Sequence, residues 1–169
     1  MTVHPFEPVF DENSEILILG SFPSVKSREL HFFYGHPRNR FWKVLAAVFD
    51  SDIPQTIYEK KAFLLKNHIA LWDVIASCDV EGSADCSIKN VVPNDLSVIL
   101  QTAKIKQIFV NGKTAEKYYN KYQRSAIGKT AVCLPSTSPA NAAYGIDNLI
   151  TEWSKIKQVP HLKATTYKP

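Results

Sequence analysis

Three short segments concentrate residue types that bind or activate ligands: Gly20-Ser21-Phe22-Pro23-Ser24, His36-Pro37-Arg38-Asn39-Arg40-Phe41-Trp42 and Pro135-Ser136-Thr137-Ser138-Pro139-Ala140-Asn141. The first and third offer hydroxyls and backbone N–H groups. A fourth, Asn111-Gly112-Lys113, puts a lysine where a helix should begin, which suits an anion such as phosphate. Asn39 lies between two arginines just before an amphipathic run, and two readings fit it. Its amide oxygen can cap the helix, worth about 1 kcal/mol, or the amide can hold a water by hydrogen bonds, although it cannot serve as a base as a carboxylate can. Phe22, Phe32, Phe33 and Tyr34 can fill the core. One placed in a cleft could instead stack on a flipped base, worth about 1–3 kcal/mol.

The usual catalytic engines are missing. Gly112-Lys113-Thr114 and Gly128-Lys129-Thr130 look like the end of a P-loop, but the glycine required five residues earlier is Gln107 in one and Gln123 in the other. No G-x-G-x-x-G follows a strand, and no G-x-S-x-G elbow occurs. His4, His31, His36, His68 and His161 show no metal-ligand spacing, and Cys78, Cys86 and Cys133 are too few for a zinc site or a disulfide framework. Buried or idle thiols, with no metal and no organic cofactor, are the expectation.

Positioning these segments requires strands that end beside them. Ile16 to Leu19 is an apolar run that reads as a buried strand, so the glycine-proline segment falls at its carboxyl end, where open α/β sheets bind ligands. Ile69 to Ile75, Ile105 to Val110 and Thr130 to Leu134 read as three further strands. Helices are expected from just after Asn39, with Phe41, Trp42, Leu45, Val48 and Phe49 at helical spacing, and from near Pro54 to Lys66. Others should follow Asn94 and Asp95 as caps, start at Thr114, and span about Asp147 to Lys157. Thr2 to Asn13 reads as an extended arm, Ser27 to His36 as a packed surface loop with room for one helical turn, Ala76 to Pro93 as a long connection and the tail from Pro160 as frayed. Four short strands separated by helices predict an α/β fold: three layers, α/β/α, around a central four-stranded, mostly parallel sheet.

With 169 residues, 45% of them hydrophobic and 21% charged, the chain suits one domain spanning 1–169. No apolar run is long enough for a membrane span and the amino terminus lacks signal-peptide character, so a cytoplasmic, nucleoid-associated location is expected. The formal charge of +4 is compatible with nucleic acid without requiring it.

Taken in order, Gly-Ser-Phe-Pro-Ser, His-Pro-Arg-Asn-Arg-Phe-Trp-Lys-Val-Leu and Pro-Ser-Thr-Ser-Pro-Ala-Asn resemble the motifs of the uracil-DNA glycosylase superfamily, over a stretch from Ile16 to about Trp153. The second block is close to that of the mismatch-specific uracil/thymine-DNA glycosylases. Those enzymes carry a water-positioning asparagine in their first motif, Gly-Ile-Asn-Pro-Gly, where this chain has Phe22. With Asn39 in the second block, the chain is most similar to family 6, the hypoxanthine-DNA glycosylases, in which that asparagine takes the catalytic part.

The resemblance implies hydrolysis of the N-glycosidic bond of a deaminated nucleotide flipped from duplex DNA, by a monomer. Asn39 would hold the water near C1′, Phe22 or Tyr34 would stack on the base, and Asn111 would read its edge. Ser24, Ser136 and Ser138 would grip phosphates, and Arg38, Arg40 and Lys113 would contact the backbone. Asn141 and Tyr144 would fill or wedge open the vacated space. The rivals are a uracil or thymine glycosylase, a non-catalytic DNA-damage-binding module on the same fold, and a small-molecule phosphate-binding protein.

Overall fold

The computed structural model describes residues 1–160, and the tail beyond them lies outside the described residues. The chain opens with β1 (Thr2–Val3), β2 (Ile16–Gly20), α1 (Val25–Leu30), α2 (Phe41–Val48) and α3 (Ile57–Lys66). It continues with β3 (Ile69–Asp73), β4 (Ile75–Asp79), β5 (Lys89–Pro93), α4 (Ser97–Leu100) and β6 (Gln107–Asn111). It closes with α5 (Lys113–Tyr122), α6 (Arg124–Ile127), β7 (Ala131–Leu134) and α7 (Ile146–Trp153).

The four strands expected to carry the fold form a parallel sheet in the order β3-β2-β6-β7. β2 is buried along its whole length, and its alternation divides two cores. Ile16 and Ile18 face a cluster built with Phe41, Trp42 and Leu45 of α2, Leu64 of α3 and Trp153 of α7. Leu17 and Leu19 face the other side, with Ile99 of α4 and Ala115, Tyr118 and Tyr119 of α5. Burial on both sides is why this strand reads as a continuous apolar run.

Several expectations are corrected. The strand placed at Ile69 to Ile75 breaks at Val74, whose N–H donates to the Gly20 carbonyl at 2.8 Å while Ile75 N–H donates to that of Ser21 at 3.1 Å. The chain thereby leaves the parallel sheet and enters a second, antiparallel one, ordered β1-β4-β5. The connection expected from Ala76 to Pro93 therefore contains most of β4 and all of β5. Lys89, Asn90 and Val92 are exposed, so that strand lacks the apolar pattern that announces a buried one. Finally, α3 starts at Ile57 rather than near Pro54, because Thr56 and Glu59 form a capping box there.

Asn94 does not cap α4. Its buried amide donates to the Asp73 and Ile75 carbonyls at 2.9 and 3.2 Å, while Asp95 accepts from Ser97 N–H at 3.0 Å. Among the described residues, no helix is long and apolar enough to cross a membrane.

Candidate active site

The sheet reverses its winding between β2 and β6, since β3 is added on one side of β2 and β6 on the other. A crevice must open at the carboxyl ends of such strands. A cavity of about 420 Å³ lies there, lined by Gly20 to Ser24, Tyr34, His36, Asn39, Asp73, Asn111 and Ser136 to Ala140. Its far wall is the 82–85 loop with Val80 and Ile88. The volume falls in the range of small-molecule sites.

Two glycines bring the walls together. Gly112 has φ +93°, and a Cβ on it would lie 2.9 Å from Ser136 Cβ, so only glycine lets the β6 loop meet the third motif. At Gly20 a Cβ would lie 2.4 Å from Asp73 Oδ1 and 2.8 Å from Tyr34 Oη.

Asn39 belongs to a part-buried polar chain centred on Thr137. Its Oδ1 accepts from Phe41 N–H at 2.9 Å, holding the start of α2, and from Thr137 Oγ1 at 2.9 Å. Thr137, fully buried, also accepts from Asn111 Nδ2 at 3.0 Å and returns its own N–H to Asn111 Oδ1 at 3.1 Å. Each amide oxygen is thus fixed by a backbone N–H, which settles both orientations. Asn39 Nδ2 is left without a hydrogen-bond partner among the described residues, on a side chain that lines the cavity.

The aromatics divide. Phe22 lines the cavity with the Arg28 guanidinium 5.6 Å from its ring centroid and its edge toward His4. Tyr34, at φ +53°, already stacks on Phe41 with centroids 4.0 Å apart. Its buried hydroxyl makes no hydrogen bond of good geometry. Burial first, then the Asp73 charge, raises its pKa, and the nearby Asn111 side chain opposes them. Phe32 and Phe33 are core residues.

Arg40 is committed to the protein. Its guanidinium donates to the carbonyls of Thr137, Ser138, Asn141 and Tyr144, tying the third motif to the second. Asn141 is engaged as well, donating from Nδ2 to the Ser136 carbonyl at 3.0 Å. Ser24 caps α1, and the Ser136 and Ser138 hydroxyls accept backbone N–H groups of their own loop, both at 3.2 Å. Arg38 and Lys113 are exposed and outside the cavity lining, and Tyr144 stands exposed with Ala142 and Ala143.

Sequence reasoning missed Thr137, although it lies inside a motif singled out for its hydroxyls. It also missed Asp73 and His4, whose side chains meet at 2.7 Å. The one sequence signal is that Asp73 is an acidic residue inside the otherwise apolar run from Ile69 to Ile75. On the rim, burial of the Asp85 carboxyl and then the Asp73 charge raise the pKa of Asp85, which a Thr114 hydrogen bond opposes, although the residue as a whole is exposed. Of the cysteines, Cys78 is buried and Cys86 exposed. The half-buried Cys133 has its thiol pushed up to about 11, chiefly by burial. Among the described residues, no cluster of three His, Cys, Asp or Glu side chains could hold a metal ion.

Comparison with known proteins agrees with this fold. Residues 7–163 match the model of the uracil DNA glycosylase superfamily. The chain belongs to that superfamily. Its relatives include a hypoxanthine DNA glycosylase of Methanosarcina barkeri, 39% identical over 80% of this chain and 86% of that protein. A second, from Methanosarcina acetivorans, is 37% identical over 89% of this chain and 95% of the other. A solution NMR structure of a candidate uracil DNA glycosylase from M. acetivorans superposes with a TM-score of 0.77 at 36% identity, covering 94% of this chain and 96% of that one. The superfamily fold accounts for the three layers.

Proposed function

We propose that the protein is a monofunctional DNA glycosylase that extrudes a deaminated nucleotide from duplex DNA and hydrolyses its N-glycosidic bond, with hypoxanthine as the preferred base. The observation that carries the reading is the state of Asn39. Both acceptor positions of its oxygen are filled, so the amide cannot orient a water by accepting its proton. Only Nδ2 is available, and it donates. A donor fixed in place before the reaction stabilises negative charge as it develops on the departing purine. The C1′–N9 bond breaks with its electron pair passing to the base, water adds at C1′ and releases one proton to solvent, and the base anion takes up one proton from solvent.

Phe22 supplies the stacking surface, since Tyr34 is already spent on Phe41. Asn111 shapes the site through Thr137 more than it reads the base. Arg38 and Lys113 on the open rim contact phosphates, with the Ser24, Ser136 and Ser138 loops beside the lesion. Tyr144, on the exposed crest with Ala142 and Ala143, enters the space the nucleotide vacates. Arg40 and Asn141 hold that crest in shape. The protein acts as a monomer at the nucleoid, and two curated relatives named for hypoxanthine support the substrate choice.

Single-turnover assays on duplexes containing deoxyinosine, deoxyuridine or a thymine–guanine mismatch, with abasic sites revealed by alkali, test this. Fastest cleavage is expected for deoxyinosine. Dominant uracil release would overturn the substrate, and lesion binding without release would make the protein a damage-binding module.

A further inference from the structure

The surplus positive charge of the chain sits in one place. Residues 113–130 hold five of its 20 basic side chains and one of its 16 acidic ones, a surplus of four that equals the formal charge of the whole chain, +4. The rest of the chain is balanced. Lys113, Lys117, Lys121, Arg124 and Lys129 are all exposed. Among the described residues none of the five forms a salt bridge. Glu116, the one acid of the segment, lies beside Cys133.

The fold turns these residues into a fixed strip. α5 and α6 make the crossover from β6 to the parallel β7, so α5 starts at the cavity rim and runs back toward the amino ends of the strands. Lys113, Lys117 and Lys121 recur every fourth residue on its outer face, over about 12 Å at the helical rise, and Arg124 and Lys129 extend the strip beyond. The opposite face carries Ala115, Tyr118 and Tyr119 into the core. At the far end the Gln123 amide donates to the Asn94 carbonyl and Tyr119 Oη to that of Lys129, both at 2.7 Å.

What the strip can bind follows from what it lacks. Lys117 Nζ lies 5.3 Å from the Tyr118 ring centroid and Lys121 Nζ 5.1 Å from that of Tyr122, and the two rings stack on each other. Tyr118 is buried and Tyr122 half-buried, so no open ring is offered to an unpaired base. No large apolar side chain between 113 and 130 is exposed, which leaves no anchor for a membrane or for the apolar centre of a protein interface. Charge alone remains, and its complement is a regular polyanion, the backbone of duplex DNA.

We propose that the outer face of α5 and α6 is a second, sequence-independent site for duplex DNA, holding one segment while the cavity holds another. This rests on the base-excision reading, which lays the first duplex across the carboxyl ends of the strands. The strip leads away from that end, so the same duplex could follow it only by bending sharply, at a cost of about 1–6 kcal/mol. A separate segment lies along it unbent. Contact with both segments lets the protein pass between them without first dissociating into solution.

The full-length variant Lys117→Gln/Lys121→Gln/Arg124→Gln tests the inference, with Lys113 kept because it stands at the rim beside the first duplex. A short donor-labelled abasic-site duplex and a longer acceptor-labelled undamaged duplex are mixed with protein. Wild type should bring the labels together, seen as energy transfer. In the variant the second duplex should bind more weakly, with the slope of log affinity against log salt lower by about 3. Single-turnover excision from a short deoxyinosine duplex, and affinity for the short abasic-site duplex, should match the wild type. If circular dichroism shows the triple variant misfolded, Lys121→Gln/Arg124→Gln carries the same test with a slope change of about 2. Energy transfer absent from the wild type, or undiminished in a folded variant, overturns the inference. So does a fall in a folded variant's affinity for the short duplex, which would place the strip on the first segment. Absence of base release by the wild type sinks the base-excision reading instead, and energy transfer, read without chemistry, keeps the two failures apart.

Discussion

Thr137 Oγ1 donates to Asn39 Oδ1 at 2.9 Å, joining two motifs that lie 98 positions apart in the chain. The same hydroxyl accepts from Asn111, so one buried threonine sets two amides at the cavity wall. Thr137→Val keeps the shape and removes the hydroxyl, leaving Asn111 Nδ2 without its partner and Asn39 with one donor fewer. A loss of about 1–3 kcal/mol in urea unfolding is expected, with a parallel fall in base release. Unchanged values for both would show that the bridge does not organise the site.

Asn39 carries two separable functions, a cap at the start of α2 and a donor in the cavity. Asn39→Asp retains an oxygen for Phe41 N–H and Thr137 and abolishes the Nδ2 donor. Its stability should stay close to that of the wild type while single-turnover excision falls about 100-fold or more. Asn39→Ala should lose as much activity and about 1 kcal/mol of stability besides. If Asn39→Asp excises normally, the residue is a cap alone.

The cations around the site should differ in salt dependence. Arg38 and Lys113 are exposed, so Arg38→Ala and Lys113→Ala should each lower the slope of log affinity against log salt by about 1. Arg40 donates to four carbonyls of its own protein, and Arg40→Ala should weaken binding and loosen the 137–144 loop with little change in slope. Titrating labelled duplex at several salt concentrations separates the two classes, and a slope change for Arg40→Ala would place its guanidinium on phosphate.

How far these roles could be read from the sequence follows from where their partners lie. The parallel strands were legible because burial on both faces leaves an apolar run such as Ile16 to Leu19, and the loops after them follow from the layout. β4 and β5 were not, because a small sheet with Lys89, Asn90 and Val92 in solvent shows no such pattern. Asn39 stood out by its setting, and the uses of its two amide atoms depended on Thr137. The His4–Asp73 contact spans 69 positions, joining an arm and a strand end, and nothing local in either segment announces it.

Tyr34→Phe tests whether the tyrosine hydroxyl is as isolated as its position implies. In the folded protein burial, and then the Asp73 charge, keep it protonated above the ordinary tyrosine value of 10.0. The unfolded chain releases that proton at the ordinary value. Above 10.0 the folded state therefore holds more protons, and stability is lost as pH rises, by up to about 1.4 kcal/mol per pH unit for one such group. Below that value the group adds no pH dependence. Removing a hydroxyl that lacks a well-formed hydrogen bond should change stability at neutral pH by less than about 1 kcal/mol. Urea midpoints at neutral and alkaline pH should show the variant gaining on the wild type only in the alkaline range. Parallel pH profiles would mean that the hydroxyl ionises as readily in the folded protein as in the unfolded chain.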